Sequence, residues 1–324
     1  MLPIGFVVIG RNEGARLAAC LNSIAKYTPH IVYVDSNSTD GSVALARTMQ
    51  VQVVELDMQR KFTAARARNA GFNQLIRLFP HLKYVHFVDG DCIVNPDWIL
   101  YAFDFLERHQ QVAVVCGRRR ERFPHHSVYN WLCDIEWNTP IGKAKACGGD
   151  AMMRIEAFQA VIGYNETLIA GEEPELCIRL RARGYDVWRL DHEMTLHDAD
   201  MRQFSQWWKR SMRAGFAYAE GSAMHGHAPE YHWKKESRRA WFWGGLVPVS
   251  WLVLLAIAPH LSWLIIAFVC LQFLKLTIQN RSLGFRAIHY AFFLMLGKTA
   301  EMAGQCKYWW NRLFQLNASL IEYK

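Results

Sequence analysis

The chain has 324 residues, of which 52% are hydrophobic and 20% charged, with 21 glycines and 10 prolines. This composition excludes a disordered, collagen-like or small disulfide-stapled protein, and leaves room for one large domain with an appendage or for two ordinary domains. Lys and Arg exceed Asp and Glu by 37 to 29, a net charge of +8, which indicates an anionic partner such as nucleotide phosphates or an acidic membrane surface and does not by itself imply nucleic acid.

The cysteines and the first residues indicate a cytosolic catalytic part. The eight cysteines form no CxxC pair and no regular framework, which is typical of reduced thiols and argues against zinc. The first ten residues lack a basic segment and run directly into apolar, β-branched residues. We therefore expect a first strand there and no secretory signal.

Short apolar runs alternate with amphipathic stretches in the first part of the chain. The predicted strands are 6–9, 31–34, 51–55, 84–88 and 112–116, and the predicted helices are 15–26, 42–49, 63–78 and 96–108. Strands separated by helices of this length form βαβ units. We therefore expect an α/β fold, a mostly parallel sheet with helices on both faces, and ligands bound at the carboxyl ends of the strands.

The hydropathy of the chain changes near residue 230, because almost all of the long apolar runs lie beyond it. We expect a first domain over residues 1–230 and a membrane-attachment region over residues 231–324. Two apolar runs, about 241–258 and 261–278, are each long enough to cross a hydrocarbon core as a helix. Tryptophans near their ends favour a membrane hairpin, and the alternative is a pair of buried helices in a soluble domain.

The distribution of basic residues predicts the orientation of this hairpin. Four basic residues precede the first run: Lys234, Lys235, Arg238 and Arg239. Three more end or follow the second run: Lys275, Arg281 and Arg286. The connection between the runs carries no Lys or Arg. Because cytoplasmic segments are enriched in Lys and Arg, we expect both ends of the hairpin at the cytoplasmic face of the plasma membrane, in a protein with two spans.

Two further segments combine apolar and charged residues. Residues 286–314 are apolar but are interrupted by Lys298, Glu301 and Lys307, so we expect an amphipathic helix in the membrane plane rather than a third span. Residues 201–219 carry tryptophans beside several basic residues, and we expect this helix at the membrane surface as well.

The first acidic candidate is Asp35, which directly follows the predicted strand 31–34. A carboxylate at this place could accept hydrogen bonds from a nucleotide base or from ribose hydroxyls. The same segment also fits an Asx turn closed by Asp40 and Gly41, so its role stays open on this segment alone.

A second acidic group, Asp89, Gly90 and Asp91, directly follows the predicted strand 84–88. Two carboxylates on either side of a glycine can hold a hard divalent cation, with substrate phosphates completing the coordination shell. An ordinary turn is the alternative. A cation here would stabilise charge on a departing diphosphate.

Two later clusters offer a base and another ligand. Glu172, Glu173 and Glu175 open a helical pattern that ends at Gly184, where they also suit the helix dipole; one of them is a candidate base. His197 is a candidate third ligand of the metal site, with a satisfied structural histidine as the alternative.

Six motifs in order carry a resemblance to a known family. They are VIGRNEG at 8–14, VDSNSTDGS at 34–42, ARNAG at 67–71, VDGDC at 88–92, GGDAMMR at 148–154 and GEEPELCIRLRARG at 171–184. Together they resemble the successive motifs of the family 2 inverting glycosyltransferases of the GT-A fold, over nearly all of residues 4–220. The tail resembles that of the membrane-attached members that build bacterial surface glycans.

The resemblance implies roles for the matching residues. The nucleotide would be bound by Arg11, Asn12, Glu13, Asp35 and Arg68, with Asp35 at the base or ribose. Asp89, Gly90 and Asp91 match the DxD motif, with Asp91 as the direct metal ligand and Asp89 at the ribose or a bound water. Gly148, Gly149 and Asp150 would support the donor sugar and the acceptor.

The catalytic base departs from the family pattern. The family usually has Glu-Asp where this chain has Glu172-Glu173, and the second carboxylate is the base. We expect Glu173 in that role, with Glu172 in reserve, because glutamate and aspartate differ little in pKa. A later family pattern, Q-x-x-R-W, is only partly matched, so Arg210 as a diphosphate contact is a prediction beside a membrane-facing helix.

The resemblance also implies the reaction and its partners. We expect a nucleoside diphosphate sugar, most often UDP-linked in the family, as the donor, Mn²⁺ or Mg²⁺ as the cofactor, and a lipid-linked or growing glycan as the acceptor. Two alternatives stay open. A non-catalytic membrane subunit would bind nucleotide without transfer, and a sugar nucleotidyltransferase would release pyrophosphate.

Overall fold

The structure is a computed structural model that describes residues 2–60 and 62–316. The chain divides into two compact units, one ending at Arg202 and the other beginning at Gln203. The division precedes the change in hydropathy near residue 230, so the helix that follows Gln203 lies in the second unit and not in the α/β domain.

Within the described residues of the first unit, nine strands form one sheet. They are β1 Ile4–Gly10, β2 Ile31–Asp35, β3 Gln52–Glu55, β4 Tyr84–Asp89, β5 Cys92–Val94, β6 Val112–Glu121, β7 Gly142–Ala144, β8 Ala151–Arg154 and β9 Asp186–His197. Their order is β3-β2-β1-β4-β8-β6-β9-β5, and β7 pairs with β9. The pairing is parallel from β3 to β4 and between β6 and β9, and antiparallel at β8, β5 and β7.

The sheet is therefore mixed, and the parallel arrangement expected from the sequence holds for its first four strands. In the described part of this unit, seven helices accompany the sheet: α1 Ala15–Ala25, α2 Ser42–Thr48, α3 Ala64–Leu78, α4 Trp98–Arg108, α5 Val128–Glu136, α6 Ile155–Ala160 and α7 Glu172–Ala182. The predicted helices before residue 110 coincide with α1 to α4. Strand β6 is longer than predicted, because it continues beyond Cys116 into three arginines and Glu121.

The core of this unit lies between the sheet and its helices. Strands β1, β2 and β4 are almost entirely buried, which explains their near-continuous apolar sequences. Helix α3 packs across β1 and β2, where an added Cβ at Gly71 would lie 2.4 Å from a methyl of Val7. The side chain of Thr63 accepts a hydrogen bond from the amide of Arg66, and this N-cap fixes where α3 begins.

The second unit is helical throughout its regular elements. It contains α8 Phe204–His225, α9 Lys234–Trp241, a π-helical turn Phe242–Leu246, α10 Val247–Ile257, α11 Pro259–Gln279, a 3₁₀ turn Arg281–Leu283 and α12 Arg286–Leu313. Residues 286–313 thus form one helix, as predicted. The side chains of Gln203 and Gln206 form a capping box that starts α8.

Glycines bring α12 against two other helical segments. A Cβ added at Gly304 would lie 2.0 Å from the carbonyl oxygen of Met212, and one at Gly244 would lie 2.0 Å from that of Lys298. Such spacing leaves no room for a side chain, so α12 packs backbone to backbone against α8 and the π-helical turn. Buried Gln305 adds hydrogen bonds with Ser237.

The two predicted spans coincide with the apolar helices of this unit. Residues 234–257 and 259–279 are long and apolar enough to cross a membrane, with a mean hydropathy of 1.8 and 2.0 over their best windows. Only 17% and 6% of those windows is buried within the chain. The alternative of two buried helices in a soluble core does not describe this part of the chain, because its leucines, isoleucines and aromatic side chains are largely exposed.

Candidate active site

The carboxyl ends of three adjacent parallel strands bring the first candidate residues to one edge of the sheet. Gly10 of β1 is paired with Asp35 of β2, and Ile9 of β1 is paired with Asp89 of β4. The loops after these strands therefore start side by side, as expected of a sheet that binds ligands at its strand ends.

The Asp35 carboxylate is held by its own loop. It accepts hydrogen bonds from the Tyr33 hydroxyl at 2.9 Å and from the Ser38 amide at 2.8 Å. Burial and the neighbouring carboxylate raise the pKa of Tyr33 well above its usual value, so Tyr33 stays a hydrogen-bond donor. The alternative, an Asx turn closed by Asp40 and Gly41, is present as well, because the Asp40 carboxylate accepts a hydrogen bond from the Ser42 amide at 2.9 Å. Asp35 is in addition a buried carboxylate at the sheet edge.

The loop after β1 is tied to the loop after β2. Asn12 adopts a φ of 57°, its amide donates to the Ser38 hydroxyl, and its side chain accepts from the amide of Thr39 at 2.7 Å. Neighbouring Arg11 is exposed, and Glu13 pairs with Arg16 at 2.8 Å. The predicted residues of this loop therefore lie beside the Asp35 loop, and the hydrogen bonds of Asn12 hold the two loops together.

The Asp89-Gly90-Asp91 segment forms the tight connection between β4 and β5. The Gly90 amide donates to the carbonyl of Ile9 at 2.8 Å, and an added Cβ at Gly90 would lie 3.2 Å from that same oxygen. The glycine thus lets the backbone pass close to β1. Asp91 is buried, whereas the Asp89 side chain remains 26% exposed.

Four side chains around this segment could hold a metal ion. One ligand atom from each of Asp89, Asp91, Cys92 and His197 lies within 4.8 Å of the others. The Nε2 atom of His197 is 3.3 Å from a carboxylate oxygen of Asp91, because β5 and β9 pair these segments. Carboxylates suit both Mn²⁺ and Mg²⁺, and a neutral imidazole is a common additional metal ligand.

Cys92 is the least suited of the four to such an ion. Its thiol is buried and donates to carboxylate oxygens of Asp91 and Asp150. Burial, with the charge of Asp150, raises the pKa of this thiol well above its usual value, so it stays protonated. The ligand set that fits a hard divalent cation is therefore Asp89, Asp91 and His197.

Arg68 connects the DxD carboxylates to the candidate base. Its guanidinium group lies 3.0 Å from Asp89, 2.9 Å from Glu172 and 3.0 Å from Glu173. The side chain is only 4% exposed. Helix α3 supplies this arginine, and α7 supplies both glutamates in its first turn.

The environment of Glu173 shifts its proton affinity towards neutrality. Burial and the adjacent Glu172 together raise its pKa to about 7, although Arg68 acts in the opposite direction. Burial also disfavours ionised Asp89, but Arg68 and Arg119 outweigh it and hold the pKa of Asp89 below its usual value. The pKa values of Glu173 and Asp89 are thus shifted in opposite directions, although both carboxylates contact Arg68. Such a difference is expected where a metal or nucleotide contact lies beside a general base.

Arg119 is a site residue that sequence reasoning missed. It lies 3.2 Å from Asp89 and 3.3 Å from Asp150, and its guanidinium group stacks over Trp137 at 5.0 Å. Irregular pairing between β6 and β9 on either side of Arg118 turns Arg119 towards the site, as β-bulges commonly do. Trp137 also packs edge-on against His197, at 4.7 Å between ring centres.

A sequence signal for Arg119 existed but was ambiguous. The predicted strand 112–116 runs directly into Arg-Arg-Arg-Glu, and a run of charges is usually a solvated surface. Here the three arginines have three different partners: Asp134, the Asp89–Asp150 pair and Glu193. Trp137 gave no signal, because it reaches the site only through the packing of α5 beside β6.

Asp150 lies beneath the site. Its carboxylate accepts hydrogen bonds from the Asp89 amide at 3.2 Å and from the Thr195 hydroxyl at 2.7 Å, and it is fully buried. Of the two preceding glycines, Gly148 has open space where a Cβ would stand, whereas a Cβ at Gly149 would lie 2.5 Å from Arg68 and 3.3 Å from both Asp89 and Glu173. These contacts make Asp150 and Gly149 supports of the charged groups, beside the sugar-binding role predicted for this segment.

The structure thus brings most of the predicted residues to one edge of the first unit. Arg68 contacts Asp89, Glu172 and Glu173 directly, and His197 contacts Asp91. The two sets meet at the candidate metal site, where ligand atoms of Asp89, Asp91 and His197 lie within 4.8 Å of one another, and Asp35 lies two strands away. Arg210 lies on α8 in the second unit, and its contact with a diphosphate stays a prediction.

Comparison with known proteins points to one family. The model of the family described as glycosyl transferase family 2 matches residues 6–158. The succinoglycan biosynthesis protein ExoA of Rhizobium meliloti is 26% identical over 227 residues, which cover 65% of this chain. The chain spans 66% of the length of that protein, which is just under two thirds. An uncharacterized glycosyltransferase of Rickettsia prowazekii is 39% identical over 54 residues, 17% of this chain and 18% of its own length.

Solved structures agree in fold. A mannosyltransferase from Pyrobaculum calidifontis, in complex with GDP-Man and Mn²⁺, is 16% identical, with a TM-score of 0.64 over 96% of this chain and 88% of its own. A glucosyl-3-phosphoglycerate synthase from Mycobacterium tuberculosis, in complex with Mn²⁺ and UDP-Glc, is 15% identical, with a TM-score of 0.51 over 69% of this chain and 79% of its own. The motifs, the family match over residues 6–158 and the GT-A fold together support a family 2 glycosyltransferase.

Proposed function

We propose that this chain is a membrane-attached, metal-dependent inverting glycosyltransferase that acts in the synthesis of a cell-surface polysaccharide. It would move a sugar from a nucleoside diphosphate donor, UDP-linked in the first instance, to a lipid-linked or growing glycan acceptor. The observation that carries this proposal is the single charged cluster in which Arg68 contacts both the DxD carboxylate Asp89 and the candidate base Glu173.

The proposed reaction is one displacement at the anomeric carbon. The acceptor oxygen forms a bond to that carbon while the bond from the carbon to the diphosphate oxygen breaks, so configuration inverts. Glu173 takes the proton of the acceptor hydroxyl, and a pKa of about 7 suits a base that works near neutral pH. This route forms no covalent bond between the sugar and the enzyme, so it needs no nucleophilic serine or cysteine.

The charge of the cluster supports metal dependence. Among the described residues, the carboxylates of Asp89, Asp91, Asp150, Glu172 and Glu173 accompany two guanidinium groups, Arg68 and Arg119, and the imidazole of His197. A diphosphate brought to such a site without a cation would meet net repulsion. Asp91, Asp89 and His197 would hold Mn²⁺ or Mg²⁺, which would stabilise the charge of the departing diphosphate when bound.

Membrane attachment explains the second unit. Two apolar helices bury only 17% and 6% of their best windows within the chain, and basic residues flank the pair while none lies in the connection. These features support a two-span hairpin with both ends in the cytoplasm, and an acceptor presented at the cytoplasmic surface. Extraction of fully active enzyme into buffer without detergent would contradict the membrane part of the proposal.

The direct test is release of nucleoside diphosphate from a panel of nucleotide sugars by the detergent-purified chain. Each donor is tested with Mn²⁺, with Mg²⁺ and with chelator, and with or without a bacterial membrane lipid extract. We expect metal-dependent release from one donor, stimulated by the extract. Release of pyrophosphate instead would indicate a nucleotidyltransferase, and metal-dependent nucleotide binding without release under any acceptor would favour a non-catalytic subunit.

A further inference from the structure

A cavity of about 420 Å³ lies directly before the first apolar helix, within the second unit. One face of α9 and the residues on either side of it line this cavity, which we call the basic pocket. Its lining residues are Tyr231, Lys234, Lys235, Arg238, Arg239 and Phe242. The cations recur at positions i, i+1, i+4 and i+5 of the helix, so they project from one face.

The basic pocket concentrates positive charge, although one carboxylate, that of Glu236, lies on the same helix. Among the residues that the structure describes, no carboxylate lies within ion-pair distance of Lys234, Lys235, Arg238 or Arg239. Lys234 instead lies over the Tyr231 ring, at 5.6 Å. Like charges at i and i+4 repel each other on a helix, so this arrangement is destabilised until an anion enters.

The basic pocket lies where the polar and apolar parts of the second unit meet. Phe242 lines the pocket and also contacts Trp243 and Phe268 in the apolar hairpin, at 5.1 and 6.4 Å between ring centres. Beyond it, Leu246 and Val249 are more than half exposed. Four cations at the polar end of an exposed apolar helix are placed at the depth of lipid headgroups.

We infer that the basic pocket binds the phosphates of a multiply charged membrane lipid, of the lipid diphosphate class, with the Arg238 and Arg239 guanidinium groups as paired donors. A phosphodiester lipid brings one negative charge to four cations, whereas a diphosphate brings more charge in a space of this size. Guanidinium groups bind phosphate oxygens in a two-pronged geometry, and Tyr231 and Phe242 offer apolar surface to the first carbons of the lipid chain.

The inference rests on the proposed function, because a lipid-borne acceptor is what would bring such a headgroup to this enzyme. It deepens that proposal by giving the acceptor lipid a second point of contact, separate from the site at the sheet edge of the first unit. The basic pocket contains no residue assigned to nucleotide, metal or base, so the two assignments can be tested independently.

The test uses the full chain in neutral detergent micelles, with chelator present to suppress metal-dependent diphosphate binding at the sheet edge. Farnesyl diphosphate, inorganic pyrophosphate and phosphatidylglycerol are titrated separately by calorimetry. We expect farnesyl diphosphate to bind most tightly, and the double variant R238Q/R239Q to bind it about thirtyfold more weakly, the loss expected for two basic residues at a charged headgroup. A second variant, K234Q/K235Q, should lose affinity similarly.

The matched control is K275Q/R281Q, which removes the same two charges from exposed positions at the other end of the hairpin. It should keep its affinity for farnesyl diphosphate within about twofold. An equal loss in the control would show diffuse attraction and overturn the basic pocket as a site. Full affinity in both R238Q/R239Q and K234Q/K235Q would do the same.

The other ligands distinguish the source of the phosphate. Pyrophosphate binding as tightly as farnesyl diphosphate would overturn the lipid assignment in favour of a free phosphate. Equal binding of phosphatidylglycerol would overturn the preference for a diphosphate headgroup. Mn²⁺-dependent binding of nucleoside diphosphate is measured on the same proteins. The pocket variants should bind nucleoside diphosphate as tightly as the unmodified chain does. If the unmodified chain does not bind nucleoside diphosphate, that result counts against the transferase proposal alone.

Discussion

Asp35 and Asp89 lie at the same edge of the sheet, but Asp35 is held by partners close in sequence and Asp89 by partners from distant segments. We call each carboxylate with its partners the Asp35 group and the Asp89 group. Asp35 is held by Tyr33 and Ser38, two and three residues away in its own loop. Asp89 is held by Arg68 from α3 and by Arg119 from β6, and Arg68 also reaches the glutamates of α7. The Asp35 group therefore forms with its local turn, whereas the Asp89 group exists only when four separate elements have assembled.

This difference predicts which changes will propagate. A substitution in the Asp35 group should act on ligand binding and leave the rest of the unit intact, because its partners are neighbours in the chain. A substitution in the Asp89 group should act on stability and catalysis together, because removal of one buried partner leaves the others unpaired.

The largest effect is expected for Arg68→Met, which removes the guanidinium group between three carboxylates. We expect a loss of about 3–5 kcal/mol in the free energy of unfolding, measured by denaturant titration, and no detectable sugar transfer. Arg68→Lys, which keeps the charge but not the fork of donors, should recover part of the stability and little of the activity. A stable, active Arg68→Met enzyme would remove Arg68 from the centre of the site.

Glu173→Gln comes next and should leave the fold intact. Loss of a general base lowers turnover by about 10²–10⁴-fold, so we expect a kcat reduced in that range with nucleotide binding retained. Glu172→Gln is the matched control, one residue away with the same partner Arg68, and should lose less. A reversed order of the two variants would transfer the role of base to Glu172.

The raised pKa of Glu173 predicts a pH dependence of both activity and stability. Since the base must be ionised, kcat/KM should rise with pH and level off above about 7. The folded-state pKa lies above the usual glutamate value of 4.5, so the stabilisation from the protonated form is complete below about 4.5 and is lost as pH rises through about 7. Glu173→Gln should therefore raise the Tm relative to the unmodified chain at pH 8.5 more than at pH 5.

Arg119→Gln should have an intermediate effect, because Asp89 keeps Arg68 and Asp150 keeps Thr195. We expect a loss of about 1–3 kcal/mol in stability together with weaker nucleotide binding. Arg120→Gln is the neighbouring control on the same strand, where an exposed pair with Glu193 should contribute within about 0.5 kcal/mol. Equal effects of the two variants would contradict the assignment of Arg119 to the site.

The smallest effect on stability is expected for Asp35→Asn. An amide oxygen still accepts from Tyr33 or Ser38, so unfolding should change by only about 1 kcal/mol. Nucleotide affinity should fall about tenfold if the carboxylate accepts hydrogen bonds from the base or ribose, as measured by calorimetry with the nucleoside diphosphate. A larger stability loss than that of Arg119→Gln would break the contrast between the two groups.

The difference between the Asp35 group and the Asp89 group also separates what the sequence could predict from what it could not. The strands that carry Asp35 and Asp89 are apolar runs followed by helices, and the hydropathy pattern alone located both strand ends within one residue. Residues brought in by other elements had no such signal: strand β6 was predicted to end at Cys116, because the pattern does not register a bulge that turns Arg119 inwards. The motif resemblance, rather than periodicity, associated Arg68 with the nucleotide, and only the structure shows its contacts with Glu172 and Glu173.

The second unit was predictable in its elements but not in its packing. Hydropathy located both apolar helices and the helix that follows them, because length and composition determine each of these. The division at Arg202 was not predictable, since it follows from the contact of α8 with α12 through glycines far apart in sequence. An amphipathic pattern shows that a helix has an apolar side and does not identify what covers it.

Gly148 and Gly149 adjoin in the chain, yet a side chain at the first would enter open space, while one at the second would meet Arg68, Asp89 and Glu173 together. In evolutionary terms the two positions face different selection. At the first position the fold has room for a side chain, which would reach into the segment predicted to hold the donor sugar and the acceptor. Gly149 should stay unchanged for as long as the enzyme keeps its chemistry. Its replacement in a homologue would therefore indicate that this homologue no longer catalyses sugar transfer.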